Sequence, residues 1–428
     1  MDTNSQLNTG LTESLLQVNQ LSYKLPPQIS IASKCTHVIN YSQQASYNGG
    51  ETVIFDSQTG SQFVDPAASY LRLIVKPGEA NFGFGSGSVN NIFSRVVVRT
   101  QTGAELSRCE DYNLLNKFME RYSNSTAWFD TIGRAQGFIK NVSGANTYSD
   151  SIPTGGRLFV VPVQCLMACM NPIGAKLVPP NIMSGLRIEI QLASASEAFC
   201  FVNQSTQPGA NLTSYTVSRP EIHWKVYELA DAFQRKIQEM AAQGLNYLYK
   251  ETFHTIVSTG TADINFDIKK AASKALTCRI ITRDATVGVG RDTFAAKVFN
   301  YETLQANIGS DYWPNQKLQI DTTPTLNNIN EAYYYTAYAV DKLEAWSPPS
   351  VDPAQFLGVT DYTKYNNGMI CFNLNKSNVS ELAGYTTSNS RALLVNLKQS
   401  SASDVRLDAY LTFLRLCKVL VSNTIVLD

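Results

Sequence analysis

Periodicity is the property that most restricts what this chain can become. Short apolar or alternating runs of period two occupy both halves, and one amphipathic stretch of helical period lies between them. From Glu228 to Gly244 the large apolar residues are Leu229, Phe233, Ile237 and Met240, spaced four, four and three apart. That spacing keeps them on one face of a helix, and Gly244 supplies the left-handed residue that closes one. On either side the runs are broken by Gly, Pro, Asn, Asp and Ser, the punctuation of sandwiches and barrels. A chain of 428 residues is long enough for two such domains, each with its own core. The expected class is therefore all-β, two consecutive β domains joined by a short α-helix.

The same reading places the elements. Residues 1–24 form a polar arm with one weak helical stripe, Leu7, Leu11, Leu15 and Val18, and Pro26 and Pro27 stop any helix there. Strands are expected in SYLRLIVKPG from Ser69, SRVVVRT from Ser94, RLFVVPV from Arg157 and IHWKVYE from Ile222. The clearest is LRIEIQL, where Leu186, Ile188, Ile190 and Leu192 alternate with Arg187, Glu189 and Gln191 and so face a core together. In the second half the candidates are DINFDIK from Asp263, ALTCRIITR from Ala275, AYYYTAYAV from Ala332, MICFNL from Met369 and ALLVNL from Ala392. The run RLDAYLTFLRLCKVLV from Arg406 fits strand and helix equally by period, and a strand is expected because a β domain needs one near its end. The expected boundaries are an arm at 1–24, a first domain at 25–227, a linker helix at 228–245 and a second domain at 246–428. A sub-pattern also repeats. SRVVVRTQTG precedes a helical stripe of Leu114, Leu115, Phe118, Met119 and Tyr122, and ALTCRIITRDATVGVG precedes an apolar segment ending near Phe299.

Charged residues make up 16% of the chain, against roughly 25% in an ordinary globular protein. Together with 21 Tyr and 19 Phe, this is the composition of a surface largely covered by partners. The 35 basic and 35 acidic residues cancel, and no Lys or Arg run builds a track for phosphates, which argues against direct nucleic-acid binding. No stretch approaches the roughly 20 apolar residues of a membrane span, and the polar start lacks the basic and apolar regions of a signal peptide. The chain is expected to be assembled inside the cell that makes it.

Residues able to carry chemistry are present without the spacing that chemistry needs. The eight cysteines read as reduced and mostly buried, and Cys165 and Cys169, in QCLMACMNP, as packing residues rather than metal ligands. His37, His223 and His254 are far apart in sequence, without the clustered ligands of a metal-dependent double-barrel oxygenase. The cluster NFGFGSGS from Asn81 lacks the Lys-Ser/Thr ending of a phosphate loop and is expected to be a turn. Tyr333, Tyr334, Tyr335 and Tyr338 suit a strand with alternate rings in the core and at a subunit contact. The same rings would make a sugar-stacking platform in the alternative reading, a carbohydrate-binding or fibre-like β protein. No catalytic, cofactor-binding or metal residue is assigned, no cofactor is expected, and the chain is not read as an enzyme.

The segment SYLRLIVKPGEANFGFGSGSVNNIFSRVVVRTQTGAELSRCEDYNLLNKF, from Ser69 to Phe118, resembles the double jelly-roll major capsid proteins of double-stranded DNA viruses, specifically those of polinton-like viruses and virophages. DYWPNQKLQI from Asp311 and the run from Arg406 resemble second-barrel stretches of that family. The resemblance implies two consecutive eight-stranded jelly-roll barrels and a structural role. It further implies homotrimeric, pseudo-hexameric capsomers tiling an icosahedral shell in the virion, beside penton and minor capsid proteins and over an internal membrane in some viruses.

Overall fold

The computed structural model describes residues 32–427 apart from 58, 139–150, 175, 203–209, 243, 288–289, 297–300, 321–328, 341–348, 359–366, 377–383, 389–390 and 420–424. The arm expected at 1–24 lies outside the described residues.

The first unit is built from β1 (Ala32–Tyr41), β2 (Thr52–Ser57), β3 (Phe63–Pro77), β4 (Phe93–Arg99), β5 (Glu105–Glu110), β6 (Arg157–Pro162), β7 (Leu186–Leu192) and β8 (Tyr215–Leu229). The second is built from β9 (Leu245–Thr259), β10 (Asp263–Ile268), β11 (Ala272–Asp284), β12 (Tyr301–Ile308), β13 (Asp311–Gln319), β14 (Met369–Asn373), β15 (Leu393–Gln399) and β16 (Val405–Val419). The sheets of the first unit run β1-β8-β3-β6 and β2-β7-β4-β5. Those of the second run β9-β16-β11-β14 and β10-β15-β12-β13, the same order with eight added to each strand. All these ladders are antiparallel, and in each unit the first strand lies beside the last. Two such sheets face to face are a jelly roll, so the chain is a double jelly roll.

Alternation decides which side chains enter each core. In β7 the buried residues are Leu186, Ile188, Ile190 and Leu192, as the sequence pattern required. The run from Arg406 is a strand, and it read ambiguously because both its faces are buried: Leu407, Asp408, Ala409, Tyr410 and Leu411 are each 0% exposed.

Direction alternates from strand to strand, so the connections fall into two groups. The start of β1, the end of β8, the start of β9 and the end of β16 lie at one end, called lower here; the β3–β4 and β5–β6 connections and their counterparts lie at the upper end. The bridging helix, α2 (Asp231–Ala242), leaves β8 at the lower end, and Gly244 follows it at φ 91 in the left-handed region.

Two sequence expectations are corrected. AYYYTAYAV is not a strand but most of α3 (Asn330–Ala339). Its buried positions are Ala332, Thr336, Ala337 and Ala339, with Ala332, Thr336 and Ala339 at helical spacing, while the tyrosines that mimic strand propensity stand at the sides and outside, with Tyr334 62% exposed. The repeat was also placed one pair of strands early. In the first unit a helix, α1 (Tyr112–Ser123), follows β5, and its counterpart α3 follows β13 rather than β11. Of the apolar segment ending near Phe299, residues 297–300 lie outside the described residues.

The cores do not respect the midpoint of the chain. Leu114, Leu115, Phe118 and Tyr122 of α1 belong to the core of the second unit, and Tyr247, Tyr249 and Cys417 to that of the first. Each fully buried large side chain contributes about 1.5–3 kcal/mol, so the four from α1 tie the halves together as strongly as many whole interfaces do. Phe118→Ala should therefore cost about 3–5 kcal/mol. Scanning calorimetry should show one transition, moved to lower temperature, because a first-half side chain is lost from the second core. Two resolved transitions, with only one displaced, would show that the units unfold separately.

Candidate functional site: the buried polar seam between the jelly rolls

The seam is organised by α1. Its first neighbour, Asp111, sits at φ 43, a left-handed position that Asp tolerates better than most residues. Beside its apolar stripe the helix buries two cations one turn apart, Lys117 at 1% and Arg121 at 0% exposure. They grip different jelly rolls. Arg121 Nη2 donates to Ser86 O at 2.8 Å, in the turn between β3 and β4, and the Lys117 amine donates to Phe294 O, between β11 and β12. The Arg121 guanidinium also lies 4.3 Å from the centre of the Phe129 ring. Burial pushes the Lys117 amine down to about 8, against the pull of nearby Asp292.

Asp292 joins the two connections directly. Its Oδ2 accepts from Ser86 N at 3.0 Å and from Ser86 Oγ at 2.5 Å, and its Oδ1 accepts from Phe294 N at 2.9 Å. Gly85 permits this approach. It has φ +58, and a Cβ there would lie 2.9 Å from Asp292 Oδ2 and 2.7 Å from Cys200 Sγ. NFGFGSGS is thus the turn its composition required, and it does cradle an anion, but that anion is a carboxylate from the other jelly roll.

A second cluster surrounds Asp408, at 0% side-chain exposure on β16. His254 Nε2 lies 3.1 Å from its Oδ1, Arg406 Nη2 2.9 Å from the same atom and Arg283 Nη2 2.8 Å from its Oδ2. Arg406 continues to Asp111 Oδ2 at 2.7 Å, which ties the start of α1 to the second unit. Burial alone would push the Asp408 carboxyl up, but its bond with His254 and the charges of Arg283 and Arg406 hold it well below the usual carboxylate range. Asp111, His254 and Asp408 form, among the described residues, the one trio able to converge on a metal ion. The donor set does not suit one, since the two guanidiniums already neutralise the two carboxylates and a cation would have to displace them. The cluster is an ion network that locks three strands, β9, β11 and β16, to a helix.

Lower down, β5 meets β9 and β16. Arg415 donates to Leu106 O and Glu105 O at 3.0 Å each, Tyr249 Oη donates to Leu106 O at 2.5 Å, and Ser107 Oγ donates to Glu251 Oε1 at 3.3 Å. Glu251 is 3% exposed, and burial pushes its carboxyl up to about 7 despite the Thr252 amide and Arg415. A cavity of about 360 Å³ opens between α1, residues 164–171 and β9, lined by Cys109, Glu120, Cys165 and Glu251 among others. It lacks the logic of a nucleophile. Burial and then Glu120 raise the proton affinity of the Cys165 thiol, the reverse of activation.

The other singled-out residues separate. His37 and His223 lie on the paired strands β1 and β8, with His37 3.3 Å from Lys225 Nζ and His223 3.2 Å from Glu221 Oε2, while His254 belongs to the seam. All eight cysteines are free thiols, five of them buried. The sequence reading missed Lys117, Arg121, Asp292, Arg283 and the Asp111–His254–Asp408 group, because each is defined by a partner 35 to 299 residues away along the chain. One signal was available: in RLDAYL, Arg406, Asp408 and Tyr410 alternate with apolar neighbours, the mark of a polar face inside an otherwise apolar strand.

Neither a protein-family model nor a curated protein sequence matches this chain. Solved structures match its fold. The PBCV-1 protein VP54, fitted into a reconstruction of the virophage Sputnik, aligns at TM-score 0.61 and 10% identity over 95% of this chain and 98% of that one. The major capsid protein of mavirus aligns at 0.55 and 11% identity over 97% and 96%, and that of Faustovirus at 0.54 and 10% over 95% and 93%. At such identities the likeness is one of fold, and it spans both jelly rolls.

Two measurements test the seam. Asp292→Ala leaves the Ser86 turn and Lys117 without their shared carboxylate and should lower stability by about 2–4 kcal/mol in denaturant unfolding; a change near zero would remove Asp292 from the clasp. Glu251 titrates at about 7 in the folded chain and near 4.3 when unfolded, so folding takes up a proton between those values. Its stabilising contribution is present below the lower value and is lost as pH rises through the higher one. Glu251→Gln should therefore gain on the parent by roughly 3 kcal/mol between pH 5 and pH 8, and parallel pH profiles would contradict the assignment.

Proposed function

We propose that this chain is a viral major capsid protein whose homotrimers form pseudo-hexagonal capsomers and tile an icosahedral shell. The observation that carries the reading is the repeated strand order of two jelly rolls fused through shared cores and a buried polar seam. Three such chains supply six similar walls, and cyclic symmetry closes the ring without leftover interfaces. The fold likeness to the mavirus and Faustovirus major capsid proteins supports the same assignment.

The surface agrees with a life among partners. The edge strand β1 carries Ile39 at 43% and Tyr41 at 66% exposure, β6 carries Leu158 at 48% and β9 carries Ile256 at 48%. Exposed apolar edges of this kind invite pairing and need covering. The partners are copies of the same chain, neighbouring capsomers, penton and minor capsid proteins and, where the virus has one, an internal membrane. The functional units are the jelly rolls at 25–227 and 246–428, with the arm at 1–24 directed inward and the linker at 228–245. The working location is the virion, reached by assembly inside the host cell without secretion. The role is structural, and the seam's ion pairs act in rigidity rather than in turnover.

Light scattering on the purified chain should report about three copies per particle, and a stable monomer at micromolar concentration would overturn the capsomer. Deleting residues 1–20 should leave the trimer intact while closed shells, counted by electron microscopy, become rarer. Loss of the trimer would place the arm in the subunit contact instead.

A further inference from the structure

We infer that the apolar stripe of residues 7–18 docks, within its own chain, into the groove at the lower end where the two jelly rolls meet. The groove encloses about 480 Å³ and is lined by Phe63, Leu177, Pro179, Ile237, Leu245 and Tyr247. Phe63 and Tyr247 form its buried floor, and Leu177, Ile237 and Leu245 leave part of their surface open. Ile237 belongs to the stripe of α2. The bridging helix therefore presents some of its apolar face to this groove instead of to a core.

Position and length select the occupant. The first described strand begins at Ala32, whose partner across the ladder is Leu229, two residues before α2. Cys35 pairs with Tyr227 and Tyr227 with Phe63, so the groove floor starts two strands away from the point where the arm joins the fold. Two strand spacings are about 10 Å. Residues 19–31 separate the stripe from β1 and can span roughly 40 Å when extended, four times what is needed. The segment 7–18, as a helix, would be about 18 Å long.

The chemistry matches as well. Leu7, Leu11, Leu15 and Val18 follow the same four, four, three spacing as Leu229, Phe233, Ile237 and Met240, so the stripe is a second helix face of the same pitch. Before Lys24 the arm's side-chain charges are Asp2 and Glu13, and Glu13 falls on the helix face opposite the stripe, so the stripe brings no charge into the groove. Such a stripe is too short to hold a helix alone in water and needs a surface of this kind. Docking in this way turns the arm's polar face downward, toward the partners that the shell reading places beneath the capsomer. The docking itself does not rest on that reading.

The test is crosslinking in the full chain carrying Cys35→Ser. Asn246→Cys at the groove is combined in turn with Leu11→Cys or Leu15→Cys on the stripe, and with Thr9→Cys or Gln17→Cys off it. A short bis-maleimide should join the stripe positions within one chain about tenfold faster than the off-stripe positions, as a tethered site of high effective concentration requires. Mass spectrometry identifies the joined peptides, and Ile237→Asp should slow the reaction severalfold. A product of two chains' mass would overturn the proposal in favour of arm exchange between copies. Equal rates on and off the stripe would overturn it outright. Light scattering on the same samples reports the trimer separately, so either failure leaves the shell assignment to be judged by itself.

Discussion

The angle at which the two jelly rolls meet depends first on a single carboxylate held inside a turn. Asp292 leaves the second jelly roll, enters the glycine-permitted turn at Ser86 in the first, and is flanked there by α1, whose Lys117 and Arg121 hold the carbonyls of the two connections. Removing such groups from water costs several kcal/mol for each charge, so the arrangement persists only because every contact is made at once. That cooperativity fixes the angle between the barrels. A purely apolar junction could slide, whereas a carboxylate bonded at 2.5–3.0 Å to named donors cannot.

The remaining seam extends the same logic along the junction. The Asp408 network ties β9, β11 and β16 to the start of α1, and Arg415 with Tyr249 ties β9 and β16 to β5. Apolar burial supplies the larger share of the cohesion, through the four α1 side chains in the opposite core. The polar contacts set register. Energy and geometry are thus divided between two kinds of interaction at one interface, and neither alone would give a junction both cohesive and fixed in angle.

Much of the fold was legible because strand alternation is local. β7 announces its core face within seven residues, and the bridging helix is visible from four apolar positions and Gly244. Local signals failed where composition and period disagreed. The tyrosines of α3 favour a strand, yet Ala332, Thr336 and Ala339 supply the face that packs, and small residues carry a weak hydrophobic signal. The seam was nearly invisible for a different reason. Its residues are ordinary charged and polar side chains in sequence, and only the folded topology brings Asp111 beside Arg406 and Asp292 beside Ser86.

The direction of the strands has a consequence for how such a protein can change over time. Both jelly rolls begin and finish at the lower end, so the upper connections carry no chain passage from one unit to the other. Lengthening an upper loop alters the relief of that end and leaves the strand framework and the lower end untouched. The thermodynamic toll is small, since each doubling of loop length adds only about 0.6 kcal/mol in closure entropy. Height and frame are therefore separately heritable traits, and a lineage built on this plan can redesign the relief of one end while the paired barrels keep the same scaffold.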